Sequence, residues 1–377
     1  MDECLDAPAL REVLDGRLNR DDRDAALAHF EECAQCRDRV ARGYGADSPI
    51  QTESRPMASG VRIGSRYTLC DPIGEGAWGE VWSAFDERLR RNIAVKILRF
   101  ERVINPDDHF RMIREAETLA RLRHSGIVAV HDSGNFEGRP FLVMDLIKGV
   151  PLPVHLEQSK PTSDDILALF RHAGSGLDAA HRAGIVHRDF KPANLLIDRA
   201  GRLLITDFGL ATRAGAATPL PPEKESGDPE SMLDLRLTPT HGCLGTPAYL
   251  APELLRGETA TPMSDQFAFC VSLVETLTAS PLMTADDVRR GGIERGELKA
   301  RLLPILPRLR PVLMRGLDPD ASRRYPDLDA LLDDVRIRGR RRLVRRVIAA
   351  GPGLAGLAAI ASLALTEVRI CLLYTSD

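Results

Sequence analysis

The stretch that most constrains this chain is His187-Arg-Asp-Phe-Lys-Pro-Ala-Asn194. It lies between the apolar pair Ile185-Val186 and the apolar run Leu195-Leu-Ile197. A second run, Leu203-Leu-Ile-Thr-Asp-Phe-Gly209, follows a short turn. Two short strands therefore flank a loop carrying an Asp, a Lys and an Asn, and another Asp ends the second strand. Asp and Asn oxygens are hard ligands suited to Mg2+, which keeps some of its waters and bridges phosphates.

Upstream, glycines fall at 74, 76 and 79 in Ile73-Gly-Glu-Gly-Ala-Trp-Gly-Glu-Val81, between the strand-like runs 66–73 and 80–86. Without a Cβ, such a loop can fold closely over a polyphosphate. The spacing alone also fits a plain hairpin turn. A dinucleotide-binding loop would be followed by a helix, and here a strand follows. Asn92-Ile-Ala-Val-Lys-Ile-Leu98 reads as a buried strand, and a lysine in it must find an anion. Residues 110–122 have helical period, with apolar side chains at 110, 113, 116, 119, 120 and 122. Glu115 and Glu117 on that helix are candidate partners for Lys96.

Together with Gly245-Thr-Pro-Ala-Tyr-Leu-Ala-Pro-Glu253, these motifs resemble the protein kinase family, and most closely the eukaryotic-like Ser/Thr kinases of bacteria. The resemblance covers residues 63 to about 336. It implies an α+β, two-lobed kinase fold, with a β-rich N-lobe at about 63–147 and a helical C-lobe at about 148–336. It also implies ATP and Mg2+ as cofactors and protein substrates.

By the same resemblance, Gly74, Gly76 and Gly79 cover the ATP phosphates. Val81 and Ala94 pack the adenine from above and Leu196 from below. Met144 guards the back of that pocket, and Asp145 to Ile147 form the hinge. Lys96 holds the α- and β-phosphates, paired with Glu115 by family spacing; Glu117 is turned about 200° away and solvated. Asp189 is the catalytic aspartate, Lys191 neutralises charge on the transferring phosphoryl, and Asn194 and Asp207 hold Mg2+. His187 and Phe208 are expected to pack. Glu253 is expected to pair with Arg324, and Asp265 to anchor the catalytic-loop backbone. Lys191 and Thr246 resemble the Ser/Thr branch. A kinase-fold scaffold without catalysis is the rival reading, and the full set of Lys96, Glu115, Asp189, Asn194 and Asp207 argues against it.

Arg188 resembles the arginine that binds an activation-loop phosphate in related kinases. Thr238 and Thr240 are the candidate phosphosites. The insert at about 214–236 reads as either a spacer or a docking segment.

The amino-terminal residues 1–43 are helical in pattern and carry His29-Phe-Glu-Glu-Cys-Ala-Gln-Cys36. His29 and Cys33 share a helix face at i and i+4, Cys36 follows from the turn beyond, and Cys4 is the fourth candidate ligand for Zn2+. The segment resembles the small zinc-binding domains of bacterial anti-sigma factors. A thiol redox switch on the same ligands, sigma-factor binding or homodimer formation fits it as well. Residues 44–62 read as a linker.

At the other end, residues 336–346 contain seven arginines and residues 347–366 carry no charge. Twenty helical residues span about 30 Å, which predicts a single transmembrane helix with the kinase on the cytoplasmic side of the inner membrane. The last residues, 371–377, resemble the translation of a sequencing-library adapter. A net charge of -3 argues against a nucleic-acid-coating protein. Seven cysteines, an odd number, do not form a secreted disulfide framework.

Overall fold

The computed structural model describes residues 4, 25, 29, 33, 35–36, 57–76, 79–98, 118–137, 139–208 and 247–336. Glu115, Thr238 and Thr240, expected as site residues, lie outside the described residues, as do the 347–366 span, the insert and the adapter-like tail.

Six strands form an antiparallel sheet in the order β1-β2-β3-β4-β6-β5: β1 (Arg62–Ile63), β2 (Tyr67–Gly76), β3 (Gly79–Asp86), β4 (Arg91–Leu98), β5 (Val130–Phe136) and β6 (Arg139–Asp145). The two-residue period of a strand sends alternate side chains to opposite faces. Ile93, Val95 and Ile97 join Phe141 and Val143 in one small core. Ala94 and Leu98 join Leu142 and Met144 in the larger core shared with the helices. Lys96 belongs to this second face, directly opposite Val81 on β3 and Leu142 on β6. Met57 and Val61 pack against the first core. The packed unit thus reaches a few residues into the stretch read as linker.

The chain then enters a helical lobe. A three-stranded sheet, β7 (Gly149–Pro151), β8 (Leu195–Asp198) and β9 (Leu203–Ile205), lies at the junction. Helix α1 (Leu152–Ser159) precedes the longer α2 (Ser163–Arg182). Thr162 and Asp165 start α2 with reciprocal side-chain to backbone hydrogen bonds, satisfying amides the first turn leaves open. Short α3 (Pro252–Leu255) leads to α4 (Pro262–Thr278), followed by α5 (Ala285–Arg289), α6 (Arg295–Arg301) and α7 (Arg310–Gly316).

Helix α4 is the axis of this lobe. Phe267, Phe269, Cys270 and Val271 are buried on it, and so are Ser264, Asp265 and Gln266. A helix hydrophobic nearly all round must be surrounded by protein, and its buried polar side chains must then find partners inside. Gln266 does so by donating to the Tyr325 carbonyl and accepting from the Tyr325 N–H. Glu253 and Arg324 form a two-pronged ion pair of 2.7 and 2.8 Å, as expected, with Ser264 donating to the same carboxylate. Burial alone would raise the Glu253 carboxyl, but the guanidinium overrides it and holds the carboxyl below its ordinary range. Among the described residues no helix is long and apolar enough to cross a membrane.

Candidate active site

The register of two sheets brings the charged motifs to one place. Lys96 comes from the middle of β4. Asn194 and Thr206 sit at the ends of β8 and β9, where the Thr206 N–H donates to the Asn194 carbonyl at 3.0 Å. Asp207 is the next residue. Its carboxylate accepts from the Lys96 ammonium at 2.9 Å. Burial pushes the Asp207 carboxyl up, but the Lys96 charge and hydrogen bond overcome this and hold it low. The ammonium therefore meets the anion that a lysine on a buried strand requires, from an aspartate 111 residues away.

A second pair forms beside the first. Lys191 Nζ lies 2.8 Å from Asp189 Oδ2, and Asn194 Nδ2 donates to the same oxygen at 3.1 Å and to the Asp189 carbonyl at 2.8 Å. The Asp-X-Lys-X-X-Asn spacing thus folds into a compact loop closed by its own side chains. A cation and an amide on one oxygen orient the Asp189 carboxylate.

The backbone here is forced. Arg188 has φ 68° and Asp207 φ 59°, left-handed values that cost roughly 1–3 kcal/mol each for residues with a Cβ. Asp265 on α4 holds the first of them. Its carboxylate accepts the backbone N–H of His187 at 2.6 Å and of Arg188 at 2.8 Å, and His181 Nε2 approaches at 2.7 Å. The anchoring expected of Asp265 is therefore present in the geometry.

His187 is fully buried. Its Nδ1 accepts the Asp189 N–H and its Nε2 donates to the Thr206 carbonyl, which fixes the neutral tautomer. Burial lowers its pKa, in agreement. The ring packs 4.7 Å from Phe208 and 5.7 Å from Phe190. Phe190 in turn meets Phe269 on α4. Both His187 and Phe208 are packing residues, as expected, joining the two loops to the helical core.

Above the site, Val81, Ala94 and Met144 share the Lys96 face of the sheet. Leu196 is half-buried between the fully buried Leu195 and Ile197. A small cavity behind Met144 and Lys96 is floored by Ile205 and Phe208. Gly74 and Gly76 lie on β2, and Gly79 opens β3 opposite Gly76. Gly79 has φ 151°, and a Cβ there would sit 2.1 Å from the Ile97 carbonyl oxygen, so no other residue fits without moving β4. Asp145 ends β6, where its N–H donates to the Ala129 carbonyl at 3.0 Å.

At the amino terminus, Cys4, His29, Cys33 and Cys36 gather with all their ligand atoms within 4.8 Å of one another. The Cys33 N–H donates to the His29 carbonyl, the helical turn that brings these two together. Cys4 Sγ lies 3.6 Å from Cys33 Sγ, and His29 Nε2 lies 3.3 Å from Cys36 Sγ. Zn–S bonds of about 2.3 Å and Zn–N bonds of about 2.0 Å in a tetrahedron require edges of roughly 3.8 Å and 3.5 Å. The donor set suits that ion in type, and these two edges lie close to those lengths, with the whole set spread over no more than 4.8 Å.

Sequence spacing alone does not reveal the Lys96–Asp207 pair, because the two residues lie far apart in the chain. A contact between β5 and β6 also escapes it, because it depends on the register of the two strands. His131 Nε2 lies 2.6 Å from Asp145 Oδ1. The lone acid at the end of a buried strand is the one signal of it in the sequence.

Two lobes, a glycine-edged sheet over a lysine and two paired aspartates define a phosphotransferase cleft. Residues 67–302 match the protein kinase domain model. The serine/threonine-protein kinase PknA of Mycobacterium tuberculosis is 35% identical over 312 residues, covering 80% of this chain and 68% of that protein. PknB of the same organism is 36% identical over 236 residues, covering 61% of this chain and 35% of that protein. The crystal structure of the M. tuberculosis PknI kinase domain covers 75% of this chain and 100% of its own, with 26% identity and a TM-score of 0.58. The chain belongs to the protein kinase family, and it is a protein serine/threonine kinase.

Proposed function

We propose that phosphoryl transfer takes place where Lys96, Asp189, Lys191, Asn194 and Asp207 converge, with Asp189 as the catalytic base. The observation that carries this reading is the pair of adjacent contacts, Lys96–Asp207 and Lys191–Asp189–Asn194, at the mouth between the lobes. The substrate hydroxyl oxygen attacks the γ-phosphorus of ATP, the bond from that phosphorus to the β–γ bridging oxygen breaks, and ADP leaves. The hydroxyl proton passes to the Asp189 carboxylate. Lys191 stabilises the negative charge on the transferring group. Lys96 exchanges Asp207 for the α- and β-phosphates, and Glu115 is its partner in that state. Asn194 and Asp207 hold Mg2+, which neutralises charge on the phosphates. Catalysis here is mostly positioning and electrostatic stabilisation.

Gly74, Gly76 and Gly79 cover the phosphates. Val81, Ala94 and Leu196 enclose the adenine, Met144 closes its back, and the backbone from Asp145 to Ile147 binds its edge. Autophosphorylation of Thr238 or Thr240 is the activating step. Cys4, His29, Cys33 and Cys36 hold a zinc ion that orders the amino-terminal segment, on the support of the matching donor spacing. The charge-free 347–366 segment behind its arginine cluster anchors the kinase to the membrane from the cytoplasmic side.

The test is the full chain incubated with Mg2+ and labelled ATP beside Asp189→Asn. Label on the wild type alone, mapped to Thr238 or Thr240, is the expected result. Equal labelling of both proteins would remove Asp189 from the mechanism.

A further inference from the structure

β5 and β6 pair antiparallel, but not in an unbroken register. Val130 lies opposite Met144, and the next pair is Asp132 opposite Val143. His131 is therefore an extra residue, and a bulge of this kind bends the strand and re-aims a side chain. Here the bulge brings His131 Nε2 to 2.6 Å from Asp145 Oδ1. The histidine is mostly buried at 17% exposure, whereas the aspartate is 45% exposed. Asp145 follows Met144 at the point where the chain leaves the sheet for the helical lobe. Its N–H is already tied to the Ala129 carbonyl. Two separate contacts thus fix this one residue, the first through its backbone and the second through its carboxylate.

The base of the clamp is itself held. Asp132, next to His131, accepts the Tyr67 hydroxyl at 2.6 Å and Arg66 at 3.2 Å, and Arg66 also binds the fully buried Asp86. β5 is therefore pinned to β2 and β3 beside the bulge. An imidazole carried on so rigid an edge can dictate where Asp145 sits.

We propose that His131 is a positioning residue for the nucleotide: by holding the Asp145 carboxylate it fixes the backbone of 145–147 in the conformation that receives the adenine edge. The inference rests on the assignment of 145–147 as the hinge. His131 does not touch the reacting groups, so its removal acts on nucleotide binding and leaves phosphoryl transfer itself alone.

The full chain is compared with His131→Leu, which removes the donor, and His131→Gln, which restores an N–H. Initial rates are measured against ATP and against peptide, and Mg-ADP binding is measured by calorimetry. His131→Leu should raise KM for ATP and Kd for Mg-ADP roughly two- to five-fold, the range for a partly exposed pair. Its kcat and peptide KM should stay within experimental error, and His131→Gln should recover most of the loss. In the background of Asp145→Ala, which removes the acceptor, His131→Leu should have little further effect.

An unchanged KM for ATP in His131→Leu overturns the proposal. So does a loss shared equally by kcat and both KM values with a lowered melting temperature, which marks a merely structural role. Asp145→Ala with untouched Mg-ADP affinity also overturns the proposal, whereas a wild type that binds no Mg-ADP removes the hinge assignment itself.

Discussion

Asp265→Asn tests how the catalytic loop is held. In the wild type the Asp265 carboxylate, 1% exposed, takes His187 N–H and His181 Nε2 on one oxygen and Arg188 N–H on the other. An asparagine can keep its oxygen toward only one of these groups. Turned toward the two-donor side, it points its NH2 at the Arg188 N–H, donor against donor. That forfeits a hydrogen bond to a charged acceptor, about 1.5–3 kcal/mol, at the residue whose φ of 68° already costs about 1–3 kcal/mol. Released, Arg188 can relax and carry Asp189 away from Lys191 and Asn194. If about 1.4–2.8 kcal/mol of this appears in the transition state, kcat/KM falls on the order of 10- to 100-fold. The melting temperature should drop by about 3–12 °C, at 2–4 °C per kcal/mol for a domain of this size. Steady-state rates with a peptide substrate and thermal unfolding measure the two effects. An Asp265→Asn protein with wild-type kcat/KM and an unchanged melting temperature would show that the loop holds its own conformation and refute the reasoning.

Gly79→Ala forces a Cβ to 2.1 Å from the Ile97 carbonyl; it should raise KM for ATP and cost roughly 1–3 kcal/mol of stability, read by nucleotide titration and denaturant unfolding. Glu253→Gln leaves the buried Arg324 without its counter-charge and should cost about 3–5 kcal/mol by the same unfolding assay. The pH dependence has a definite sign. Since the folded Glu253 carboxyl is held below its ordinary value of 4.5, its contribution is full above that value and is lost as pH falls through the folded pKa. Wild type and Glu253→Gln should therefore converge in stability in acid and differ most near neutrality. Protein purified without chelator should carry roughly one zinc per chain by elemental analysis, and Cys36→Ser should carry much less; a metal-free wild type would contradict the assignment.

Much of the site is legible in the sequence. The spacing of Asp189, Lys191 and Asn194 places three groups on one short loop, because a loop of six residues cannot carry them far apart. The i, i+4 spacing of His29 and Cys33 likewise brings two ligands to one helix face. The apolar run through Asn92–Leu98 indicates a buried lysine that needs an anion. Local geometry limits where such residues can go, so local sequence suffices to find them.

Beyond the Glu253–Arg324 pair and the Asp265 anchor, which the family resemblance implies, the structure decided which distant partner each group received. Lys96 meets Asp207 because β4 and the end of β9 face the same cleft. His131 reaches Asp145 because β5 gains one residue against β6, a shift of register that no pattern of apolar residues announces. Arg188 can hold its left-handed backbone only because Asp265, 77 residues later on a buried helix, accepts its amide. The chain specifies such contacts through the packing of whole elements, and a side chain's partner is fixed only when those elements dock. Sequence therefore determined which chemistry this protein carries, and tertiary structure decided how each charge is balanced and held.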